Sequence, residues 1–140
     1  MRKLNLDVNK SKEVYDTCKD RIKQKECYSN VFNIMDYDPK PFRDGTWKIS
    51  YGYVEAMSGL YCRHCFIVDK DDRVIDPTTF THKEPPTQRA YYVMYIFDDV
   101  DDYLSAVLSE DCMPSLDLYF KDDDKAAFKW AKNNNLLFVG

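Results

Sequence analysis

Apolar residues recur at helical spacing in the first 40 residues of the chain. Val14, Cys18 and Ile22 stand four positions apart, which predicts a helix over about residues 11–23. A second apolar stripe must end before Pro39, because a residue that precedes proline is pushed out of the helical region. This stripe consists of Cys27, Val31, Ile34 and Met35. Cys27 is therefore predicted to lie in the first turn of the second helix.

The middle of the chain changes to a pattern typical of β-strands. Residues 47–54 and 61–68 are rich in Tyr, Ile, Val, Phe and Trp, and turn-forming residues follow each of them. Residues 73–76 predict a third strand, and residues 89–97 predict a longer one after a loop that contains two prolines. The pattern indicates a meander of antiparallel strands.

Two acidic clusters, 98–102 and 122–124, mark the starts of two further helices. Carboxylates in a first helical turn are stabilised by the free N–H groups and by the positive end of the helix dipole. Apolar residues at helical spacing follow each cluster. They are Val100, Tyr103, Leu104, Val107 and Leu108 in the first helix, and Ala126, Phe128, Trp130 and Ala131 in the second.

The length and composition fit one folded domain over residues 1–140. Independent domains most often have about 100–150 residues, so 140 residues leave too little core for two. With 44% hydrophobic and 31% charged residues, the composition is that of a globular protein rather than a disordered one. Helices followed by antiparallel strands predict an α+β fold in which N-terminal helices pack on an antiparallel sheet.

Charge and hydropathy exclude several classes of partner. The chain has 20 basic and 24 acidic side chains, and this net charge of −4 provides no overall positive field for nucleic acid. No apolar run approaches the ~20 residues of a membrane span, and no export signal opens the chain. We therefore expect a cytoplasmic protein with no nucleic-acid or membrane partner. Its five cysteines, an odd number, are predicted to be thiols.

One of the two histidines has a predicted acidic neighbour. His64 lies in the strand 61–68, whereas His82 lies in a polar loop. If the turn that follows this strand has an odd number of residues, His64 and Asp76 lie on the same face of the sheet. A five-residue turn places them opposite each other, a three-residue turn places them diagonally, and an even turn without a bulge separates them. A carboxylate in this position would orient a catalytic imidazole.

Cys27 is the best candidate for a nucleophile that His64 would activate. A helix N-terminus and a neighbouring imidazolium both stabilise a thiolate, and they lower a cysteine pKa from about 8.5 to about 3.5–7.5. This chemistry requires the helix that begins at Cys27 to deliver its thiol to the imidazole of His64. We expect that helix to pack on the face of the sheet that carries His64 and Asp76.

Four blocks of the sequence carry a resemblance to a known superfamily. They resemble the Cys, Tyr-Val-Glu-Gly-Tyr, His-Ala-Trp and Asp-Pro-Thr blocks of small bacterial and phage proteins similar to the papain-like, transglutaminase-like superfamily. The resemblance covers roughly residues 24–80, in the order Cys, His, Asp. The blocks are Glu26-Cys27-Tyr28-Ser29-Asn30, Tyr51-Gly52-Tyr53-Val54-Glu55, His64-Cys65-Phe66-Ile67-Val68 and Val74-Ile75-Asp76-Pro77-Thr78.

The resemblance implies a papain-like or transglutaminase-like core with a catalytic triad. Cys27 would be the nucleophile, His64 the general base and acid, and Asp76 the orienting carboxylate, with the backbone N–H of Cys27 in the oxyanion hole. The implied activity is acyl transfer through a thioester from a peptide bond, a glutamine side chain or a small amide, without metal or cofactor. Two departures, Ala56 in place of Gly and Cys65-Phe66 in place of Ala-Trp, concern the shape of the substrate pocket.

Each of the three residues also has a purely structural interpretation. A cysteine on an apolar stripe is more often a small buried hydrophobe, and a histidine among apolar neighbours is often a core residue. Asp-Pro-Thr is also a common strand end. A second hypothesis is therefore a non-catalytic protein-binding module, for example a phage accessory factor that occupies a host protein and keeps the fold.

The segment Cys62-Arg63-His64-Cys65 supports a third hypothesis, a structural zinc module. Two cysteines three positions apart resemble half of a zinc site. The second half is missing, because the chain has no other Cys-x-x-Cys pair. Alternation along a strand would also send Cys62 and Cys65 to opposite faces of the sheet.

Overall fold

The computed structural model describes all residues from Met1 to Gly140 and has an α+β fold of five helices and one mixed six-stranded sheet. The strands are β1 (Arg2–Asn5), β2 (Trp47–Met57), β3 (Leu60–Asp69), β4 (Val74–Ile75), β5 (Ala90–Ile96) and β6 (Leu137–Val139). The helices are α1 (Val8–Cys18), α2 (Cys27–Tyr37), α3 (Lys40–Arg43), α4 (Val100–Ser109) and α5 (Lys121–Asn133). No helix has the length and apolar character that a membrane span needs.

The strands are ordered β1-β5-β2-β3-β4. Strand β6 pairs with the first residues of β3, on the same edge as β4, which pairs near the end of β3. The meander prediction holds for β2, β3 and β4, which pair antiparallel in sequence order, whereas β5 crosses over to pair with β2. The prediction of a purely antiparallel sheet is wrong, because β6 pairs with β3 in parallel. The chain reaches β6 from α5, so it arrives in the same direction as β3.

The sheet curls until its two outer strands meet. Leu6, just after β1, forms a parallel bridge with Val74 in β4, and the N–H of Asp7 donates to the Val74 carbonyl at 2.8 Å. Apolar side chains from β1 to β5 fill the space that this closure encloses. They are Leu4, Leu6, Val54, Phe66, Val68, Val74 and Tyr91.

Helices cover the other face of the sheet. A large apolar cluster joins α1, α2 and α4 to alternate residues of the central strands, among them Tyr51, Cys65 and Ile67. A smaller cluster joins α5 and β6 to the neighbouring tyrosines Tyr53 and Tyr61. Side chains from both faces of β3 are therefore buried, which explains why its sequence is almost continuously apolar.

The first helix and the third predicted strand have other boundaries than the sequence predicts, for identifiable reasons. The first helix begins at Val8 rather than near residue 11, because the Asp7 side chain caps it by accepting from the Lys10 N–H at 3.0 Å. It ends at Cys18, and a 3-10 turn follows, while Ile22 continues the buried stripe in extended conformation. The third strand shrinks to Val74–Ile75, since the N–H of Asp76 leaves the ladder and donates to Ser11.

Gly52 allows β5 to approach β2 closely. It stands opposite His64 in the pairing of β2 with β3, and a bulge interrupts the pairing of β2 with β5 between Tyr51 and Gly52. A Cβ atom at this position would lie 2.0 Å from the carbonyl oxygen of Tyr92. Only glycine fits there without a shift of the backbone.

Gly52→Ala is expected to lower the free energy of unfolding by about 1–3 kcal/mol, the usual cost of overpacking. Urea denaturation monitored by circular dichroism measures the change. Gly140→Ala is the control, because its added Cβ would meet nothing within 4 Å. Equal stability of the two variants would contradict the close approach of β5.

Candidate active site

The turn between β3 and β4 sets the relation between His64 and Asp76. Its three-residue register pairs Ile67 with Ile75 and Val68 with Val74, which is one of the two odd registers considered from the sequence. The carboxylate of Asp69 fixes this turn by accepting from the N–H groups of Asp71 and Arg73 at 2.9 and 3.0 Å. Asp72 takes a left-handed conformation at its end, with φ 57°, as such turns require.

This register places His64 and Asp76 diagonally on one face and in direct contact. The Nε2 atom of His64 lies 2.8 Å from the Oδ2 atom of Asp76. Both side chains are buried, with 7% of His64 and 1% of Asp76 exposed. The carboxylate is therefore positioned to hold the ring by one nitrogen and to leave Nδ1 for another partner.

Asp76 is surrounded by donors as well as by His64. The hydroxyl groups of Tyr91 and Thr79 donate to its Oδ2 atom at 2.6 and 3.0 Å. Burial alone would raise the pKa of this carboxyl, but the charge and hydrogen bond of His64 and the Tyr91 hydroxyl outweigh burial and hold the pKa below 3.8. Asp76 thus remains an anion inside the protein.

The same environment favours the charged form of His64. Burial opposes a charged ring, but the charges of Asp76 and Cys27, together with the hydrogen bond to Asp76, raise the pKa of His64 to about 10. The opposite holds for His82, whose pKa is lowered by burial and by the charge of Arg89. The two histidines of the chain therefore titrate on opposite sides of the ordinary value.

Cys27 is the first residue of α2, as predicted, and only 7% of it is exposed. The charge of its side chain acts on the His64 ring. Asp76 contacts His64 directly, and the one side-chain hydrogen bond of the ring goes to Asp76 rather than to Cys27. No acidic residue stands in the first turn of α2, and no side chain caps it.

The helix α2 does not pack on the expected face of the sheet. It shares its apolar cluster with Cys65 and Ile67, which alternate with His64 along β3 and so face the other way. The prediction that α2 and His64 share a face is therefore wrong. Beside β2, strand β3 pairs with β4 at residues 67–68 and with β6 at residues 60–62. The edge of β3 between these two stretches, which includes His64, is unpaired.

Asn30 ties together the segments that carry Cys27 and Asp76. Its amide side chain pairs with both backbone groups of Lys23, at 2.9 and 2.8 Å, and donates to the Thr78 hydroxyl at 2.9 Å. Lys23 precedes α2 and Thr78 follows Asp76, so one buried side chain fixes both loops. The sequence did not predict this role for Asn30, although a polar residue on the apolar stripe of α2 indicates a buried hydrogen-bonding side chain.

Tyr91 and Thr79 are the other site residues that the sequence analysis missed. Tyr91 lies in β5, on the same side of the sheet as His64, and its ring packs against Phe66. Its buried hydroxyl carries no signal in the sequence, because the same strand contains two other tyrosines. Only the crossover that brings β5 beside β2 shows which tyrosine contacts Asp76.

A second buried charge lies on the opposite face of β3. Arg63 donates from Nε to both carboxylate oxygens of Asp124 at 3.0 Å and from Nη1 to the hydroxyl of Tyr28 at 3.1 Å. Tyr28 directly follows Cys27. Arg63 therefore connects the N-terminus of α2 to α5 and stiffens the segment that presents the thiol.

The candidate site is closed to solvent. None of the five main surface cavities is lined by Cys27, His64 or Asp76. A cavity of about 450 Å³ is lined in part by Arg89, whose guanidinium donates to the Thr79 hydroxyl at 3.1 Å. Thr79 in turn donates to Asp76, so Arg89 connects this cavity to the buried carboxylate. A group of three or more His, Cys, Asp or Glu side chains that could hold a metal ion is not found, and Cys62 and Cys65 point to opposite faces of β3.

Comparisons with known proteins find no relative of this chain. The chain matches no protein-family model, no curated protein and no solved structure.

The opposite shifts of the two histidines give a testable pH dependence. In the folded protein, NMR titration of the imidazole signals should show His64 titrating near pH 10 and His82 below 6.5. Because the unfolded chain loses the His64 proton near pH 6.5, the free energy of unfolding should fall as pH rises from about 6.5 to about 10.

His64→Gln should reduce this slope, as measured by urea unfolding across that range, and the buried thiols of Cys18 and Cys65, whose pKa values burial raises, account for what remains. Asp76→Asn should lower the His64 pKa, because burial then acts with less opposition. Two histidines that both titrate near 6.5 would contradict the buried ion pair.

Proposed function

We propose that this chain is a cysteine-dependent hydrolase or acyltransferase with a papain-like or transglutaminase-like core. Cys27 acts as the nucleophile, His64 as the general acid and base, and Asp76 as the orienting carboxylate. The observation that carries the proposal is the contact of 2.8 Å between His64 Nε2 and Asp76, in a site where the charge of Cys27 also acts on the ring. The proposed substrate is an amide in a peptide bond, a glutamine side chain or a small molecule.

The reaction follows from the order of these groups. The Cys27 thiolate attacks the carbonyl carbon, a C–S bond forms, and the carbonyl electron pair moves to oxygen. The oxyanion then reforms the carbonyl, the C–N bond breaks, and the His64 imidazolium gives its proton to the leaving amine. In the second step His64 takes a proton from water or from an amine, which attacks the thioester and releases the Cys27 sulfur.

The electrostatics of the site support the first step. Because its pKa is raised to about 10, His64 carries a proton at neutral pH and can act as the acid. Asp76 stabilises this imidazolium and holds the ring with Nδ1 turned away from the carboxylate. A thiolate beside a fixed imidazolium is the form of cysteine that reacts with carbonyl carbon.

The start of α2 supports oxyanion binding. The first N–H groups of a helix have no partner within the helix, and α2 has no side-chain cap to occupy them. These groups and the helix dipole favour negative charge near Cys27. A carbonyl oxygen that becomes negative during attack by Cys27 would find the Cys27 N–H within the same turn.

Alkylation by iodoacetamide tests the reactivity of the thiol. Cys112 is exposed, so the test uses a Cys112→Ser background and identifies labelled peptides by mass spectrometry. At neutral pH we expect Cys27 to react faster than Cys18 and Cys65, and His64→Gln to slow it by about tenfold or more, since the thiolate loses its counter-ion.

Cys18→Ser is the matched control, because it removes another buried thiol and should leave the Cys27 rate unchanged. Slow or absent labelling of Cys27, or a rate that His64→Gln does not alter, would overturn the proposal.

The closure of the site favours a second candidate, the non-catalytic protein-binding module. Only 7% of Cys27 and of His64 is exposed, and no main cavity leads to either. In this alternative the triad-like group stabilises the fold, and the partner is a host protein bound elsewhere. A biological effect that Cys27→Ala retains in full, with the thiol unreactive in the wild-type protein, would favour this candidate.

A further inference from the structure

Helix α4, the two residues before it and the segment that joins it to α5 carry an unusual concentration of negative charge and exposed apolar surface. Residues 98–120 include seven acidic side chains and no Lys or Arg, whereas the rest of the chain has 17 acidic and 20 basic side chains. The same segment exposes 60% of Met113 and 76% of Leu118. Exposed apolar residues within an acidic region indicate a binding surface rather than a surface that only promotes solubility.

These side chains line a cavity of about 250 Å³, here called the 110–118 cavity. Met113 and Leu118 supply apolar walls, and Glu110, Asp111 and Asp117 supply carboxylates. Glu110 and Asp111 form no ion pair. Asp117 accepts from the Ser115 hydroxyl at 3.2 Å, and its one ion pair, with Arg63 at 3.3 Å, involves a guanidinium that Asp124 holds more closely at 3.0 Å. The cavity therefore carries negative charge that the chain itself does not neutralise.

Contacts within the chain hold the walls of the 110–118 cavity in place without a bound partner. Leu116 is fully buried in the main apolar cluster, the Tyr51 hydroxyl donates to the Pro114 carbonyl, and Arg63 donates to the Ser115 carbonyl at 2.7 Å. Three residues that are not glycine, Asp111, Cys112 and Leu116, adopt positive φ between 53° and 62°. Such conformations cost energy and persist only where the surroundings hold them. A preformed cavity binds without the cost of ordering a loop.

We infer that the 110–118 cavity binds a polypeptide partner through a Lys or Arg side chain that is flanked by apolar residues. Long basic side chains cover apolar surface with their methylene groups and keep the charged head near acceptors. Met113 and Leu118 fit the methylene groups and the flanking apolar residues, and Glu110 and Asp111 fit the charged head. Binding there does not depend on chemistry at Cys27, so it applies to an enzyme or to a binding module.

Fluorescence anisotropy with labelled synthetic peptides tests this inference on the full chain. The probes are a short peptide of alternating Lys and Leu, a Lys/Ser peptide with the same charge, and a Glu/Leu peptide with the same apolar content. The Lys/Leu peptide should bind saturably and more weakly as salt increases, the Lys/Ser peptide several-fold more weakly, and the Glu/Leu peptide not at all.

Two variants and one matched control locate the binding. Glu110→Gln with Asp111→Asn should weaken the binding of the Lys/Leu peptide about tenfold. Gln keeps the acceptor for the Tyr119 N–H, and Asn tolerates the positive φ of Asp111. Leu118→Ser should weaken the binding of the Lys/Leu peptide several-fold. Asp71→Asn with Asp72→Asn removes the same charge from the exposed β3–β4 turn and should change affinity less than about twofold.

Several results would overturn the inference. They are a lack of saturable Lys/Leu binding, equal affinity for the Lys/Ser peptide, or equal weakening by the control variant. Sedimentation that shows a dimer lost in Leu118→Ser, without peptide binding, would assign the cavity to a second copy of the chain and would also overturn it. Because Leu118 is largely exposed, its variant should keep the wild-type melting temperature, which circular dichroism checks.

Discussion

The buried carboxylate of Asp76 is the constraint on which the rest of the structure depends. An ionised carboxylate inside a protein costs several kcal/mol unless charge and hydrogen bonds compensate it. Here the compensation comes from three parts of the chain: His64 in β3, Tyr91 in β5, and Thr79 in the turn after β4. Ser11 in α1 fixes the backbone at the same residue. The anion is stable only when all these elements are in register, so it couples their positions.

Strand β3 presents a buried charge on each of its faces. His64 contacts Asp76, just after the next strand, while its neighbour Arg63 contacts Asp124 from α5, 61 residues later in the sequence. Removal of one partner from a buried pair of this kind typically costs about 3–5 kcal/mol, because the other charge is left without compensation. The two pairs therefore attach β4 and α5 to the same strand with polar contacts as well as apolar ones. This arrangement holds the surroundings of Cys27 from both sides.

The sequence predicts the parts of the fold that local patterns determine. The apolar stripe of α2, the aromatic strands β2 and β3, and the acidic starts of α4 and α5 all appear where periodicity and capping place them. The relation of His64 to Asp76 could be reduced to two odd registers, and the Asp69 turn selects one of them. The face on which α2 packs could not be predicted, because the gap at the edge of β3 depends on where β4 ends and β6 begins. Strands β1 and β6 are too short to show a periodic hydrophobic pattern. The contact of Tyr91 with Asp76 could not be predicted either, because it depends on the crossover that brings β5 beside β2.

The pairing of the sheet also has a consequence for synthesis of the chain on the ribosome. β1 joins β5 across almost 90 residues, and β3 receives β6 from the last residues of the chain. Because translation runs from the N-terminus, β1 leaves the ribosome long before the strand that it pairs with, and β3 has no β6 partner until residues 137–139 have been made. The helices α1 and α2 can form early from local contacts, but the sheet completes only after β6 has left the ribosome. Until then the nascent polypeptide exposes unpaired strand edges, which are the surfaces that a chaperone would bind.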